Sequence, residues 1–101
     1  MGQRLQLHQL LTSLLGSSKV YFQPDENIKL EYPCIIYQRD DEAVRRADNM
    51  RYFHEKRYLV TVIDPNPDSK IPDKVGALPK ARFVRFFAKG YLNHDIYNVY
   101  F

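Results

Sequence analysis

The chain has no tryptophan, one cysteine and four glycines in 101 residues, and no apolar run longer than a few residues. Each scarcity excludes something. A single Cys34 cannot close an intramolecular disulfide, and its neighbours Pro33, Ile35 and Ile36 make it a small buried hydrophobe rather than a reactive thiol, as suits a reducing compartment. The glycines stand alone at Gly2, Gly16, Gly76 and Gly90, so no Gly-rich loop is available to cradle a phosphate. The sequence contains neither a stretch apolar and long enough to span a bilayer nor a basic N-terminal region followed by a hydrophobic segment. It reads as a soluble protein made in a cytoplasm, with no membrane partner.

Catalytic chemistry is equally thin. The histidines are His8, His54 and His94, and His8 has no second ligand at i+3 or i+4, so metal-ligand spacing is missing and His8 reads as a surface residue beside its helix stripe. Asn93-His94-Asp95 could orient an imidazole against a carboxylate. Residues adjacent in a strand point to opposite faces, however, so His94 and Asp95 should not form a catalytic pair. With no nucleophile, base and oxyanion donor brought together, the expectation is a binding or assembly protein, not an enzyme, with no catalytic residue, no metal and no cofactor.

What is present is an ordinary globular composition. An apolar share of 45% over 101 residues supports one domain with a modest core. The net charge of +3 and pI near 9.0 permit nucleic-acid contact without indicating it. Eight Tyr and six Phe suit sheet faces and subunit contacts, as well as plain strand propensity.

Residues 56–79, KRYLVTVIDPNPDSKIPDKVGALP, carry the most legible local rule. Tyr58, Val60 and Val62 alternate with Arg57, Leu59, Thr61 and Ile63, as in a strand well inside a sheet. Asp64-Pro65-Asn66-Pro67 must turn the chain, because each proline lacks a donor and restrains the residue before it. Asp68 or Ser69 then offers an N-cap to a short helix whose apolar face is Ile71, Val75 and Leu78, ended by Pro79.

The elements around this unit follow in order. Residues 3–15 place Leu7, Leu10, Leu11, Leu14 and Leu15 on one stripe of a helix closed by Gly16. Residues 19–23 read as a short edge strand, 24–31 as a polar loop, and 34–38 as a nearly continuous apolar strand. In residues 80–89, KARFVRFFAK, four basic and no acidic residues are interleaved with Phe83, Phe86 and Phe87. Strict alternation puts Phe83, Arg85 and Phe87 on one face and Arg82, Val84 and Phe86 on the other, so charge and aromatics are not segregated as a base-stacking platform requires. A structural strand with a positive rim is the expectation there, and residues 92–101 form a last strand ending on a packed Phe101. The order α-β-β-β-α-β-β predicts an α+β fold, mostly antiparallel, with both helices on one face.

Residues 39–57 stand apart. Six basic residues (Arg39, Arg45, Arg46, Arg51, Lys56, Arg57) face five acidic ones (Asp40, Asp41, Glu42, Asp48, Glu55), with Asp48-Asn49 placed for a turn. The pattern predicts a protruding polar β-hairpin arm with little core of its own. Either it is disordered in isolation or it orders against a neighbouring chain, and mixed charges suit the second; a solvent-exposed loop is the plainer alternative.

The succession of the Leu-rich helix, VYFQP, YPCIIYQRDD, the ADN-containing arm, residues 56–79 and the terminal LNHDIYNVYF resembles the small tail terminator, or tail completion, proteins of long-tailed bacteriophages. The likeness covers nearly the whole chain, and its most specific parts are residues 58–78 and 92–101. It implies a virion protein of the tail or neck that forms a ring, usually a hexamer, and stops tail-tube polymerisation. Its partners would be further copies of itself, the major tail tube protein and the head-tail connector, with double-stranded DNA passing through the lumen. The interface would then fall on Arg39, Asp40, Asp41, Arg45, Arg46, Asp48, Arg51 and Glu55, giving register more than affinity, and the lumen on Arg82, Arg85 or Lys89. A head-closure or head-to-tail adaptor ring is the nearest alternative, and a small nucleic-acid-binding module a more distant one.

Overall fold

The computed structural model describes residues 3–40 and 56–101. Helix α1 (Gln3–Leu15) leads into strands β1 (Val20–Phe22), β2 (Cys34–Arg39) and β3 (Arg57–Asp64), then helix α2 (Ile71–Gly76) and strands β4 (Ala81–Lys89) and β5 (Leu92–Tyr100). The protein is α+β, and the strands form one five-stranded open sheet in the order β1-β2-β3-β5-β4. Only β1 and β2 run parallel, and every other neighbouring pair is antiparallel. β3 therefore lies in the middle with a partner on each side, as its alternation predicts, and β1 lies at an edge. The last strand in sequence is inserted between β3 and β4, an arrangement that alternation cannot reveal, because it reports burial and not neighbours.

Both helices cover the same face of the sheet. Leu7 and Leu11 of α1 and Val75 of α2 join Val20, Ile35, Tyr37, Tyr58, Val60, Val62, Tyr97 and Val99 in one buried cluster. Leu14, Leu15, Ile71 and Phe101 pack against it from the sides. Each fully buried aliphatic side chain contributes about 1.5–3 kcal/mol of transfer free energy. α1 ends where Gly16 takes φ 82 and its N–H bonds the Thr12 carbonyl at 2.9 Å, the left-handed exit that a side chain would strain. Phe101 is tied in by reciprocal backbone bonds with Lys56, of 3.0 and 3.2 Å.

His8 differs from its expected surface role. It is half-buried, and its Nδ1 lies 2.8 Å from the hydroxyl of the fully buried Tyr37, which also accepts a bond from Arg4 at 3.2 Å. The side chain of a residue next to an apolar stripe is drawn inward when a buried hydroxyl offers a partner. Burial, and then the charge of Arg4, lower the His8 pKa from 6.5. The folded chain thus binds fewer protons than the unfolded chain just below pH 6.5, so stability is expected to fall as pH drops through 6.5 toward the folded-state value. Urea midpoints measured across this range should show the slope, and His8→Gln should flatten it.

The turn after β3 is held by its own side chains. Asp64, which is buried, accepts from the Asn66 N–H at 2.8 Å, and Asn66 accepts from that of Asp68 at 2.9 Å. Asn93 of β5 donates to the Asp64 carbonyl at 3.0 Å, pinning the turn to the sheet. The expected N-cap at Asp68 or Ser69 is displaced: Lys70 occupies the cap position and provides no side-chain bond, while Ser69 Oγ accepts from the Ile71 N–H at 3.2 Å. Pro72, in the first turn, needs no donor there, so one fewer amide requires capping. α2 is also shorter than its apolar spacing predicts. It stops at Gly76, and Leu78 lies beyond it in a turn, bonding the Val75 carbonyl at 3.1 Å.

Candidate functional site

Among the described residues neither helix packs on the other face of the sheet, the open face, and β4 shapes that face through one irregularity. Its register against β5 runs Ala81↔Val99, Arg82↔Asn98, Phe83↔Tyr97 and then Arg85↔Ile96, Phe86↔Asp95, Phe87↔His94, so Val84 is an extra, bulged residue. Residues directly opposite in an antiparallel pair share a face. Phe83 and Phe86 accordingly fall on the helix-covered side with Tyr97 and Asp95. Arg82, Arg85, Phe87 and Lys89 fall together on the open side with Asn98, Ile96, His94 and Leu92. This overturns the division read from strict alternation, which separated Arg82 from Arg85. A bulge inserts one residue and resets the parity of everything after it.

Every charged side chain that β4 places on the open side is therefore basic. Arg82, Arg85 and Lys89 are all exposed, on a strand about 3.3 Å per residue in rise, so the three charges extend over about 20 Å. Phe87 sits among them with its ring stacked on His94 at 4.4 Å and 13°, and with the Arg85 guanidinium 5.1 Å from its centre. Its partners are thus within the subunit, and Phe87 fixes the direction of Arg85 instead of offering a bare ring to a base.

His94 and Asp95 point to opposite faces, as adjacent strand residues must, which leaves His94 on Phe87 and Asp95 under the helices. Asp95 borders a pocket of about 220 Å³ lined by Asp64, Ser69, Asp73, Phe86 and Asn93 among others. Burial, and then the charge of Asp73, raise the Asp95 pKa. No group of three His, Cys, Asp or Glu among the described residues could hold a metal ion. Burial raises the Cys34 pKa to about 11, so its thiol is protonated near neutral pH. No helix among the described residues is long and apolar enough to cross a membrane.

At the base of residues 39–57, Arg39 is exposed and its N–H bonds Gln23 Oε1 at 3.2 Å. Asp40 meets Arg57 of its own chain, carboxylate to Nε at 3.0 Å, beside a backbone bond from Asp40 N to the Arg57 carbonyl at 2.9 Å. The strands leading into and out of this segment are thus clamped together where they leave the sheet. Asp41, Arg45, Arg46, Asp48, Arg51 and Glu55, and the hairpin arm they were assigned to, lie outside the described residues.

Sequence reasoning weighed Phe83 and Phe86 only for base stacking and passed over the apolar surface that β4 and its turn expose. Phe83, Phe86 and Tyr91 are 55%, 52% and 72% exposed, and Val84 is exposed with them. The spacing of three between Phe83 and Phe86 is the signal that departs from a strand period of two. The chain matches no protein-family model, no curated protein and no solved structure.

Proposed function

We propose that this chain is a structural virion protein that forms a ring, hexameric by its resemblance, which terminates a phage tail tube and presents the joining surface to the head connector. The observation that carries the reading is the Val84 bulge, which gathers Arg82, Arg85 and Lys89 on one sheet face. A lumen that passes DNA needs positive charge spread thinly along a smooth face, so that phosphates are attracted without being held. A sheet face with three separated cations and a ring already flanked by Arg85 and His94 fits that need better than a stacking platform does.

The second supporting feature is the clamp of Asp40 on Arg57, which gives residues 41–55 a fixed root in the central strand. Mixed charges on such a segment would meet a neighbouring subunit and set register. Removing residues 44–50 is expected to leave a folded monomer that no longer forms rings, read by size-exclusion chromatography with light scattering and by circular dichroism. An intact ring after that deletion would take the arm out of the interface. Rings that join portal-filled heads but not tail tubes would place the protein on the head side as an adaptor. Tight binding to free DNA that weakens steeply with salt would favour the nucleic-acid-binding reading instead.

A further inference from the structure

We propose that the two open edges of the sheet meet head to tail between copies of this chain, the β4 edge of one against the β1 edge and the following acidic loop of the next. The inference rests on the ring reading and names the surfaces that build it. β4 is nine residues long and joins the sheet through β5 alone, so among the described residues its other side has no strand beside it. That edge exposes Phe83, Val84 and Phe86, while the four cations of residues 80–89 and the Val84 bulge blunt it against any partner that does not bring opposite charge.

The charges choose the partner. Residues 80–89 carry four basic and no acidic side chains, so two β4 edges set antiparallel would place like charges across the junction. That disfavours a two-fold dimer through β4. At the far side of the sheet, β1 is the other edge, and residues 24–31 follow it with Asp25, Glu26 and Glu31 against the single Lys29. These three carboxylates are on exposed residues, and Ile28 is exposed among them. Glu31 reaches Lys19 at 3.7 Å, a loose pair on the surface that an arginine of a second copy can replace. One edge is basic with exposed Phe and Val; the other is acidic with an exposed Ile. Joining them uses two different surfaces of each subunit and leaves the same two surfaces free at the ends, the condition for a ring. β1 spans three residues, so the junction has a short ladder and depends mainly on side chains.

Purified full-length Val84→Cys and Ile28→Cys variants, treated with a short bismaleimide, test the geometry. The mixture is expected to give a covalent dimer that neither variant gives alone. A dimer from Val84→Cys alone, or none from the mixture, would overturn the proposal, as would a chain that is monomeric at every soluble concentration. Arg82 and Arg85 stand on an edge strand and so border both the lumen face and this junction, and Arg82→Glu with Arg85→Glu should weaken association by about tenfold or more. Adding Asp25→Lys, Glu26→Lys and Glu31→Lys in the same chain should restore it, and failure to restore it would also count against the pairing. Cross-linked open filaments would uphold the edge pairing and defeat the ring. Rings by electron microscopy that lack the Val84–Ile28 cross-link would uphold the ring and defeat the edge pairing.

Discussion

Tyr97→Ala is expected to lower the free energy of unfolding by about 3–5 kcal/mol. Tyr97 is nearly buried in the sheet beside β4, and its hydroxyl donates to the Pro72 carbonyl at 2.9 Å. Phe83 meets its ring edge-on at 5.5 Å, and a Cβ built on Gly76 would come within 3.2 Å of the ring. One side chain therefore joins β5, β4 and both ends of α2. α2 has six residues and no side-chain N-cap, far too few to be stable alone, so its hold on the sheet depends on Tyr97 and the buried Val75. Tyr97→Phe removes only the hydroxyl and should cost about 0.5–1.5 kcal/mol. Urea denaturation gives both values, and amide exchange in α2 should quicken in the alanine variant before the rest of the protein opens. If Tyr97→Ala lost less than about 1 kcal/mol, below the range for a well-packed aromatic, α2 would be held by something else.

Tyr37→Ala should be as damaging, again about 3–5 kcal/mol, for a different reason. Tyr37 has no exposed surface, and its ring lies 4.9 Å from Phe22 and 6.0 Å from Tyr58, centre to centre. Its hydroxyl serves two partners on α1, Arg4 and His8. Arg4 in turn stands 4.6 Å from the centre of the Phe22 ring, closing a circuit of α1, β1 and β2. Tyr37→Phe keeps the packing but takes the partner from a half-buried imidazole, so it should cost about 1–3 kcal/mol. The pair of phenylalanine variants thus makes a comparison: the loss at Tyr37 should exceed the loss at Tyr97. Equal losses would show that the bonds to Arg4 and His8 add no more to stability than the single bond of Tyr97 to Pro72.

Much of the fold is legible in the sequence because burial writes itself as periodicity. Tyr58, Val60 and Val62 announce a half-covered central strand, and the Leu stripe of α1 announces the layer that covers it. Three things escape that code. Strand neighbours leave no trace in alternation, so the insertion of β5 between β3 and β4 is invisible. A buried hydroxyl elsewhere in the chain decides where His8 turns, and no local pattern contains Tyr37. The Val84 bulge changes parity in mid-strand, so the same residues that looked evenly divided are in fact sorted by charge. Arg82, Arg85 and Lys89 were thus identifiable as candidates from composition, while their common face was not. The charged segment around Asp48 is legible only as composition, since it has no period to read.

The place of β5 has a consequence for how the protein comes into being on the ribosome. β4 and β5 are joined by a tight turn at Gly90, φ 64, and β4 reaches the sheet only through β5. Until residues 92–100 have emerged, β4 has no strand to lie on, and Tyr58, Val60 and Val62 of β3 lack the neighbour on that side. The basic edge is displayed only once β5 has been made and paired with both β3 and β4. A sheet that lacks β5 is therefore without the edge that the proposed pairing of copies would use.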